Sequence, residues 1–220
     1  MNTHLICLRS VLAGLMLSIL TAQDPFVIDT SLSSSLPQSI ANSIEIADVD
    51  NDGYNDIIMS GYDSTRFGLF IDVIKVNSQG ALTSGFSTNF ITYSDTIAEF
   101  SGGLGNLDLS DVNLDGSIDI YLNGSARSEL LMNSSSGQFS DSNWLQNMFV
   151  IHSNGKWGDV NMDGKPDLFL MGVKEPADNI LNELYLNTGT YLDEDPTTIF
   201  PALFTGSSAW GDYDNDGDPD

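Results

Sequence analysis

The chain has 220 residues, with 31 Asp and Glu against 7 Lys and Arg, and its formal net charge is −24. A negative field of this size repels phosphates, so nucleic acid is not expected as a partner, and docking on anionic membrane surfaces is disfavoured. Apolar residues make up 41% of the chain and aromatic residues 10%, which excludes a disordered acidic tail and leaves enough material for a packed core.

The first 22 residues have the pattern of a secretory signal peptide. Arg9 supplies positive charge, residues 11–20 form an apolar run, and the small residue Ala22 marks the expected cleavage point. The run is shorter than the about 20 apolar residues that span a bilayer, although an uncleaved membrane anchor is the alternative. We expect a secreted or cell-surface protein whose mature segment is not inserted in a membrane.

Removal of this segment also removes Cys7, the single cysteine of the chain. The mature protein would then have no disulfide, no thiolate nucleophile and no Cys-type zinc site. Residues 23–42 follow as an expected lead-in strand region.

Residues 43–220 contain one nine-residue pattern four times. Each copy reads D-x-[DN]-x-D-G-x-x-D, and the copies occupy residues 48–56, 111–119, 159–167 and 212–220. We call them loops 1 to 4 and number their positions 1 to 9. Fifteen of the 31 acidic residues lie in these loops, so the net charge is largely a property of four short segments.

The pattern is suited to a hard cation. Oxygen-bearing side chains at positions 1, 3 and 5 alternate along the chain and can converge on one centre, while glycine at position 6 permits the sharp turn around it. Ca²⁺ takes about 6–8 oxygen ligands in such flexible loops. Two carboxylates about 5 Å apart repel by roughly 3 kcal/mol at an effective dielectric of about 20, so the crowding itself predicts a bound cation. The alternative is that Asp, Asn and Gly only mark turns.

The residues after each loop distinguish between classes of calcium site. An EF-hand needs a glutamate at position 12, where the first three loops have Met59, Leu122 and Leu170. Positions 10–12 are apolar, partly β-branched or aromatic runs, which is typical of a buried strand and not of an amphipathic helix. A second apolar run then ends at an asparagine in each repeat: Asn77, Asn133 and Asn187. A unit of about four short strands predicts an all-β repeat protein with blades of the propeller type.

These motifs resemble the FG-GAP/VCBS repeat family, and they are similar to the calcium-binding blades of integrin-α-type β-propellers. The resemblance rests on the loop, on the apolar strand after it and on an apolar residue two positions before it: Ile46, Leu109, Trp157 and Trp210. It covers residues 43–220, although the literal Phe-Gly and Gly-Ala-Pro signatures are not evident. The implied fold is an incomplete series of β-propeller-type repeats, with three units and the start of a fourth, so we expect a fragment of a longer protein.

The resemblance also implies the calcium ligands. Side-chain ligands would come from positions 1, 3, 5 and 9 of each loop: Asp48, Asp50, Asp52 and Asp56; Asp111, Asn113, Asp115 and Asp119; Asp159, Asn161, Asp163 and Asp167; and Asp212, Asp214, Asp216 and Asp220. Backbone carbonyls would come from position 7: Tyr54, Ser117, Lys165 and Asp218. Because Lys165 places an ammonium in loop 3, that loop is expected to bind more weakly than loop 1.

The implied function is a calcium-binding module for adhesion or for recognition of an extracellular protein or glycan. The alternative is a non-catalytic repeat region of a larger secreted hydrolase or lyase. We identify no catalytic residue in this segment, since His152 beside an apolar run is expected to pack or to face solvent. Trp157 and Trp210 either face a sugar or pack between blades, and their fixed position before the loop favours packing.

Overall fold

The computed structural model describes residues 40–63, 68–92, 106–123, 128–145, 150–174, 179–203 and 206–220. The expected signal peptide, Cys7 and most of the expected lead-in region lie outside these residues. The described residues form strands, turns and bends without a helix, which confirms the all-β prediction. Accordingly, none of them belongs to a helix long and apolar enough to cross a membrane.

Twelve strands form three antiparallel sheets of four strands each. The first sheet contains β1 Ile40–Ala47, β2 Asp56–Asp63, β3 Gly68–Val76 and β4 Leu82–Thr92. The second contains β5 Asn106–Ser110, β6 Asp119–Asn123, β7 Glu129–Asn133 and β8 Phe139–Asp141. The third contains β9 Val150–Gly158, β10 Asp167–Lys174, β11 Asn179–Asn187 and β12 Leu192–Glu194. The strands of each sheet are ordered as in the chain, and loop 4 follows the third sheet.

This architecture confirms the prediction of incomplete β-propeller-type repeats with three units and the start of a fourth. We call each sheet, together with the loop between its first two strands, a repeat. Loop 4 belongs to the start of the fourth repeat. The first strands of successive repeats are neighbours, with β5 in contact with β1 and β9 in contact with β5. β1 begins at Ile40, inside the region expected to be a lead-in.

The first three loops connect the first and second strands of their sheets. In the strand register, Ala47 lies opposite Asp56, Ser110 opposite Asp119 and Gly158 opposite Asp167. The residue before position 1 therefore pairs with position 9, which closes each loop as a hairpin. Position 9 is the first residue of the second strand, one residue before the apolar run from which the sequence predicted that strand.

The core lies between the sheets in two clusters. One contains Val49, Ile58, Ile71 and Val73 of the first repeat with Leu107, Ile120, Leu122 and Leu131 of the second. The other contains Val112, Tyr121, Leu130 and Leu145 of the second repeat with Val150, Leu168, Leu170, Leu181 and Tyr185 of the third.

Strand β6 shows why the run after each loop is continuously apolar. All five of its residues are buried. Ile120 and Leu122 belong to the cluster shared with the first sheet, whereas Tyr121 belongs to the cluster shared with the third. Successive side chains of a strand point to opposite faces, so a sheet with a neighbour on each side needs apolar residues on both faces, as at positions 10–12.

The two tryptophans before loops 3 and 4 pack between repeats. The ring of Trp157 meets that of Tyr121 edge to face at a centroid distance of 5.7 Å. Trp210 lies against the backbone of Gly158, where an added Cβ would stand 2.6 Å from the indole Cδ1. Its Nε1 donates a hydrogen bond to the carbonyl oxygen of Lys156 at 3.2 Å. Of the two interpretations of these residues, the structure therefore favours packing between blades.

Candidate metal centres

All four loops have the same backbone geometry. Position 4 is in the left-handed region in each, with φ of 58° at Asn51, 59° at Leu114, 56° at Met162 and 60° at Asn215. The glycine at position 6 also has positive φ, from 85° at Gly164 to 100° at Gly217. Glycine adopts this conformation without the steric cost that a Cβ introduces, which explains its presence at position 6 of every loop.

The carboxylates at positions 1 and 5 are turned toward their own loop. In loop 1, Asp48 Oδ1 accepts from the amide of Asp52 at 3.0 Å, and Asp48 Oδ2 accepts from the amide of Gly53 at 2.8 Å. Asp52 Oδ1 accepts from the amide of Tyr54 at 2.9 Å. The same three bonds recur in loops 2, 3 and 4. The acidic side chains are thus oriented by backbone amides.

Position 3 distinguishes loop 1 from the other three. Asn113, Asn161 and Asp214 each accept from the position-5 amide, at 3.0, 2.9 and 3.2 Å. Asp50 of loop 1 instead pairs through Oδ2 with Lys75 Nζ at 2.8 Å. Its Oδ1 is buried and has no hydrogen-bond partner among the described residues.

The aspartate at position 9 ties each of the first three loops to the end of the third strand of its sheet. Asp56, Asp119 and Asp167 are all 0% exposed. In loop 2, Asp119 Oδ2 accepts from the amide of Val112 at 3.0 Å, and Oδ1 accepts from the amide of Asn133 at 2.8 Å. Loops 1 and 3 have equivalent bonds. Asp220 of loop 4 is exposed and accepts from the amide of Tyr213 at 2.7 Å.

Burial of these position-9 carboxylates has an electrostatic consequence. Desolvation raises the pKa of Asp119 to about 6, while the two amide hydrogen bonds oppose that shift. Desolvation also raises the pKa of Asp56 and of Asp167, again against the effect of two amides. The neighbouring carboxylates of each loop add to the increase. A cation in the loop would favour the ionised form and so act against both effects.

The carboxylates converge most closely in loops 1 and 4. Oxygens of Asp48, Asp50 and Asp56 lie within 4.8 Å of one another, and those of Asp212, Asp214 and Asp216 do likewise. In loop 4, a hydrogen bond and charge repulsion from the carboxylate of Asp216 raise the pKa of Asp218. Loops 2 and 3 have asparagine at position 3, so each has one carboxylate fewer than loops 1 and 4 among positions 1, 3, 5 and 9.

Loop 3 contains its own cation. Lys165 Nζ bonds the carboxylate of Asp163, and this contact holds the pKa of that carboxyl below its usual range.

In every loop the backbone amide at position 7 donates to the position-5 aspartate. The position-7 residues are Tyr54, Ser117, Lys165 and Asp218.

The sequence interpretation missed the contacts of two groups of residues near the loops. Lys75 was not identified as a partner of Asp50. Asn133 and Asn187 were recognised only as the ends of apolar runs, although their side chains reach the loop of the preceding repeat. The recurrence of asparagine after the same apolar run was the signal that could have identified them.

One family profile matches the chain. It describes an FG-GAP-like repeat and matches residues 111–170 and 159–220. No curated protein matches the sequence.

Among solved structures, the chain is similar to an Agrocybe aegerita lectin described as recognising non-reducing terminal N-acetylglucosamine. The two share 16% identity with a TM-score of 0.43, and the alignment covers 71% of this chain. The chain spans 38% of the length of that structure.

The two profile matches together run from residue 111 to residue 220, which is half of the chain. They include loops 2, 3 and 4 with the strands between them, the same features on which the sequence resemblance rested. The chain therefore belongs to the FG-GAP-like repeat family.

Proposed function

We propose that this chain is a secreted or cell-surface calcium-binding module for adhesion or for recognition of an extracellular protein or glycan. The observation that carries the calcium proposal is in loop 1. Three carboxylates converge there within 4.8 Å, and Asp50 Oδ1 is buried without a hydrogen-bond partner in the described part of the chain. A buried anionic oxygen without a partner costs at least about 1–3 kcal/mol, and a cation bound in the loop would remove that cost.

The residues present fit calcium better than other metals. Each loop offers oxygen atoms from four side chains at positions 1, 3, 5 and 9 and a backbone carbonyl at position 7, and none offers nitrogen or sulfur ligands from His or Cys. Ca²⁺ accepts about 6–8 oxygens in flexible geometry, whereas Mg²⁺ retains several waters and uses fewer protein ligands. When bound, calcium would supply positive charge at the centre of each loop.

The four sites should differ in strength. Loops 1 and 4 have aspartate at position 3 and converging carboxylates, so we expect them to bind more tightly than loops 2 and 3. Loop 3 should be the weakest, because Lys165 already contacts Asp163. In loop 1 the ammonium of Lys75 also contacts a carboxylate, that of Asp50, but Lys75 belongs to strand β3 and not to the loop.

The role in recognition follows from what the loops join. Each of the first three loops fixes the hairpin between the first two strands of a sheet, so their occupancy would stiffen the ends of adjacent sheets and present a constant surface. FG-GAP-like repeats are generally non-catalytic, which supports a binding role. Secretion rests on the signal-like segment at residues 1–22.

Calcium titration calorimetry and thermal unfolding test the metal proposal. Extracellular modules bind with Kd of about 10⁻⁴–10⁻³ M, and free calcium at about 100 times Kd stabilises by about 2.7 kcal/mol per site. We therefore expect a Tm increase with millimolar calcium and its reversal by EDTA. Magnesium at equal concentration, and NaCl at equal ionic strength, are the controls. The absence of both calcium-dependent heat and a Tm change would refute calcium binding.

Secretion and recognition need separate measurements. Sequencing of the exported protein should give an N-terminus at Gln23, and an intact Met1 on a membrane-bound form would contradict cleavage. The calcium-loaded protein should bind members of a glycan array or of an extracellular protein array, with less binding in EDTA. Failure to bind any member of either array would count against the recognition role.

A further inference from the structure

The two junctions among the first three repeats each contain one buried asparagine that touches two loops. Asn133 is 3% exposed and ends the third strand of the second sheet. Its Nδ2 donates to the carbonyl of Val49, at position 2 of loop 1, at 2.7 Å. The same Nδ2 donates to the carbonyl of Ile118, at position 8 of loop 2, at 3.0 Å. One amide group therefore joins loop 1 to loop 2.

The next junction repeats this arrangement. Asn187 is 2% exposed, and its Nδ2 donates to the carbonyl of Val112 of loop 2 at 2.8 Å and to that of Pro166 of loop 3 at 3.0 Å. Its backbone amide donates to Asp167 Oδ1 at 2.7 Å, as that of Asn133 does to Asp119 Oδ1 at 2.8 Å. Two junctions with different surrounding sequences thus share one set of contacts.

The side-chain oxygen of each asparagine is also engaged. Asn133 Oδ1 accepts from the amide of Gly137 at 3.1 Å, and Asn187 Oδ1 accepts from the amide of Gly189 at 2.8 Å. The side chain therefore uses both its donor group and its acceptor in fixed directions. Aspartate would lose the donors and leucine would lose both functions, so asparagine suits this position chemically.

The contacts continue through the loops. In loop 2, the position-2 residue Val112 bonds through both of its backbone groups. Its amide donates to Asp119 Oδ2, and its carbonyl accepts from Asn187 Nδ2. Asp119 in turn accepts from the amide of Asn133, whose side chain holds Val49 of loop 1. A continuous series of hydrogen bonds thus runs from loop 1 through loop 2 to loop 3.

We propose that Asn133 and Asn187 are positioning residues that make calcium binding at adjacent loops positively cooperative. This rests on the proposed calcium function. In a loaded loop the position-9 carboxylate is held in place, and so is the asparagine amide that donates to it. The asparagine side chain then holds the backbone at position 2 of the preceding loop. That loop therefore loses less conformational entropy when it binds its own ion, so its affinity is higher.

Asn77 provides a matched control within the chain. It follows the third strand of the first sheet, one residue beyond Val76, whose amide binds Asp56, and it is exposed. Its Oδ1 accepts from the amides of Gln79 at 2.9 Å and Ala81 at 3.0 Å, both in its own turn. In the described part of the chain, Asn77 makes no side-chain hydrogen bond to a loop.

The test is an NMR calcium titration of the whole chain. The amide of Gly53 reports loop 1 and that of Gly116 reports loop 2, since each donates to the position-1 aspartate of its own loop. Gly116 also contacts loop 1 through its carbonyl, which accepts from Asn51 Nδ2 at 3.4 Å, so Gly53 is the reporter that decides the test. Asp115→Asn weakens loop 2 but retains the oxygen that accepts from the Ser117 amide. Since allosteric couplings are typically about 5–150-fold, we expect Asp115→Asn to raise the Kd at Gly53 about fivefold. In Asn133→Ala this effect should disappear, whereas in Asn77→Ala it should persist.

The outcomes separate the two proposals. If Gly53 responds to calcium but Asp115→Asn does not change its Kd, or changes it equally in Asn133→Ala, the coupling is refuted and calcium binding stands. If Gly53 does not respond to calcium at all, both proposals fail.

A folding defect at one junction does not prevent the test. Should Asn133→Ala fail to give a dispersed spectrum, Asn187→Ala provides the same experiment at the next junction. There, Gly116 is the reporter and Asp163→Asn weakens loop 3. The same fivefold change and its loss in the alanine variant are expected, and persistence of the change in Asn187→Ala would overturn the proposal.

Discussion

The contact between Gly158 and Trp210 gives a stability prediction with an internal control. An alanine Cβ at residue 158 would stand 2.6 Å from the indole Cδ1 and 2.7 Å from Nε1, well inside van der Waals contact. The indole cannot move freely, because its Nε1 bonds the Lys156 carbonyl and its ring meets Phe169 edge to face at 6.2 Å. Gly158→Ala must therefore displace a large side chain packed between two repeats.

The magnitude follows from two opposing effects. Overpacking of this kind costs about 1–3 kcal/mol. Alanine also restricts the unfolded chain, which stabilises by about 0.4–1 kcal/mol where the native backbone accepts it. The net loss for Gly158→Ala should be about 1–2 kcal/mol. Gly211, which precedes loop 4 as Gly158 precedes loop 3, has no atom within 4 Å of an added Cβ. Gly211→Ala should therefore leave stability unchanged or increase it by up to about 1 kcal/mol.

Urea unfolding of both variants is the assay, with the slope of the transition checked for constancy. A double-mutant cycle then isolates the contact, because Gly158→Ala should cost much less when Trp210 is already alanine. If Gly158→Ala and Gly211→Ala shift stability equally, or if the cycle shows no coupling, the contact between the third and fourth repeats is not as described.

Three further predictions concern the loops. Desolvation raises the pKa of the buried Asp119 from 3.8 to about 6, so without calcium the folded state binds protons more strongly than the unfolded state. The unfolding free energy should therefore rise by about 1 kcal/mol when the pH is lowered from 7 to 5. Asp119→Asn should reduce this rise in urea unfolding at the two pH values, and the raised pKa of Asp56 and of Asp167 accounts for what remains. Met162 is 62% exposed and has a left-handed backbone conformation, which asparagine adopts at a lower cost. The unfolding free energy of Met162→Asn should therefore rise by about 0.5 kcal/mol, and a decrease would contradict backbone strain at this position. Lys75→Met removes the ammonium that pairs with Asp50, so calorimetry should show several-fold tighter calcium binding at loop 1. Loss of the ion pair should also lower the unfolding free energy by about 1 kcal/mol without calcium. Weaker calcium binding in this variant would contradict the prediction and show that Lys75 helps to position Asp50.

The local features of the repeats were predictable from sequence because they depend on neighbouring residues. Aspartate at position 1 and glycine at position 6 lie within one turn, and their hydrogen bond is formed inside the loop. The strand after the loop was predictable from its apolar run, which the buried strand β6 confirms. The hairpin closure at position 9 follows from these two elements together.

Contacts between residues that are distant in sequence were not predictable in the same way. The amide that binds Asp56 Oδ1 comes from Val76, whereas the one that binds Asp119 Oδ1 comes from Asn133, at sequence separations of 20 and 14 residues. Such separations depend on the lengths of the strands and turns between them, which vary among the repeats. The pairing of Lys75 with Asp50 and the reach of Asn133 to Val49 likewise require the register of two sheets and their packing.

The hydrogen bonds of the loop aspartates are compatible with calcium ligation. A carboxylate has about four acceptor sites, and the position-9 side chains use one on each oxygen for backbone amides. The remaining lone pairs stay available for a metal, as do those of the position-1 and position-5 carboxylates. Amide donors therefore orient these side chains and partly offset their burial, and the proposed calcium ion would neutralise the crowded negative charge. This division explains how a cluster of acids can be joined directly to a strand buried on both faces.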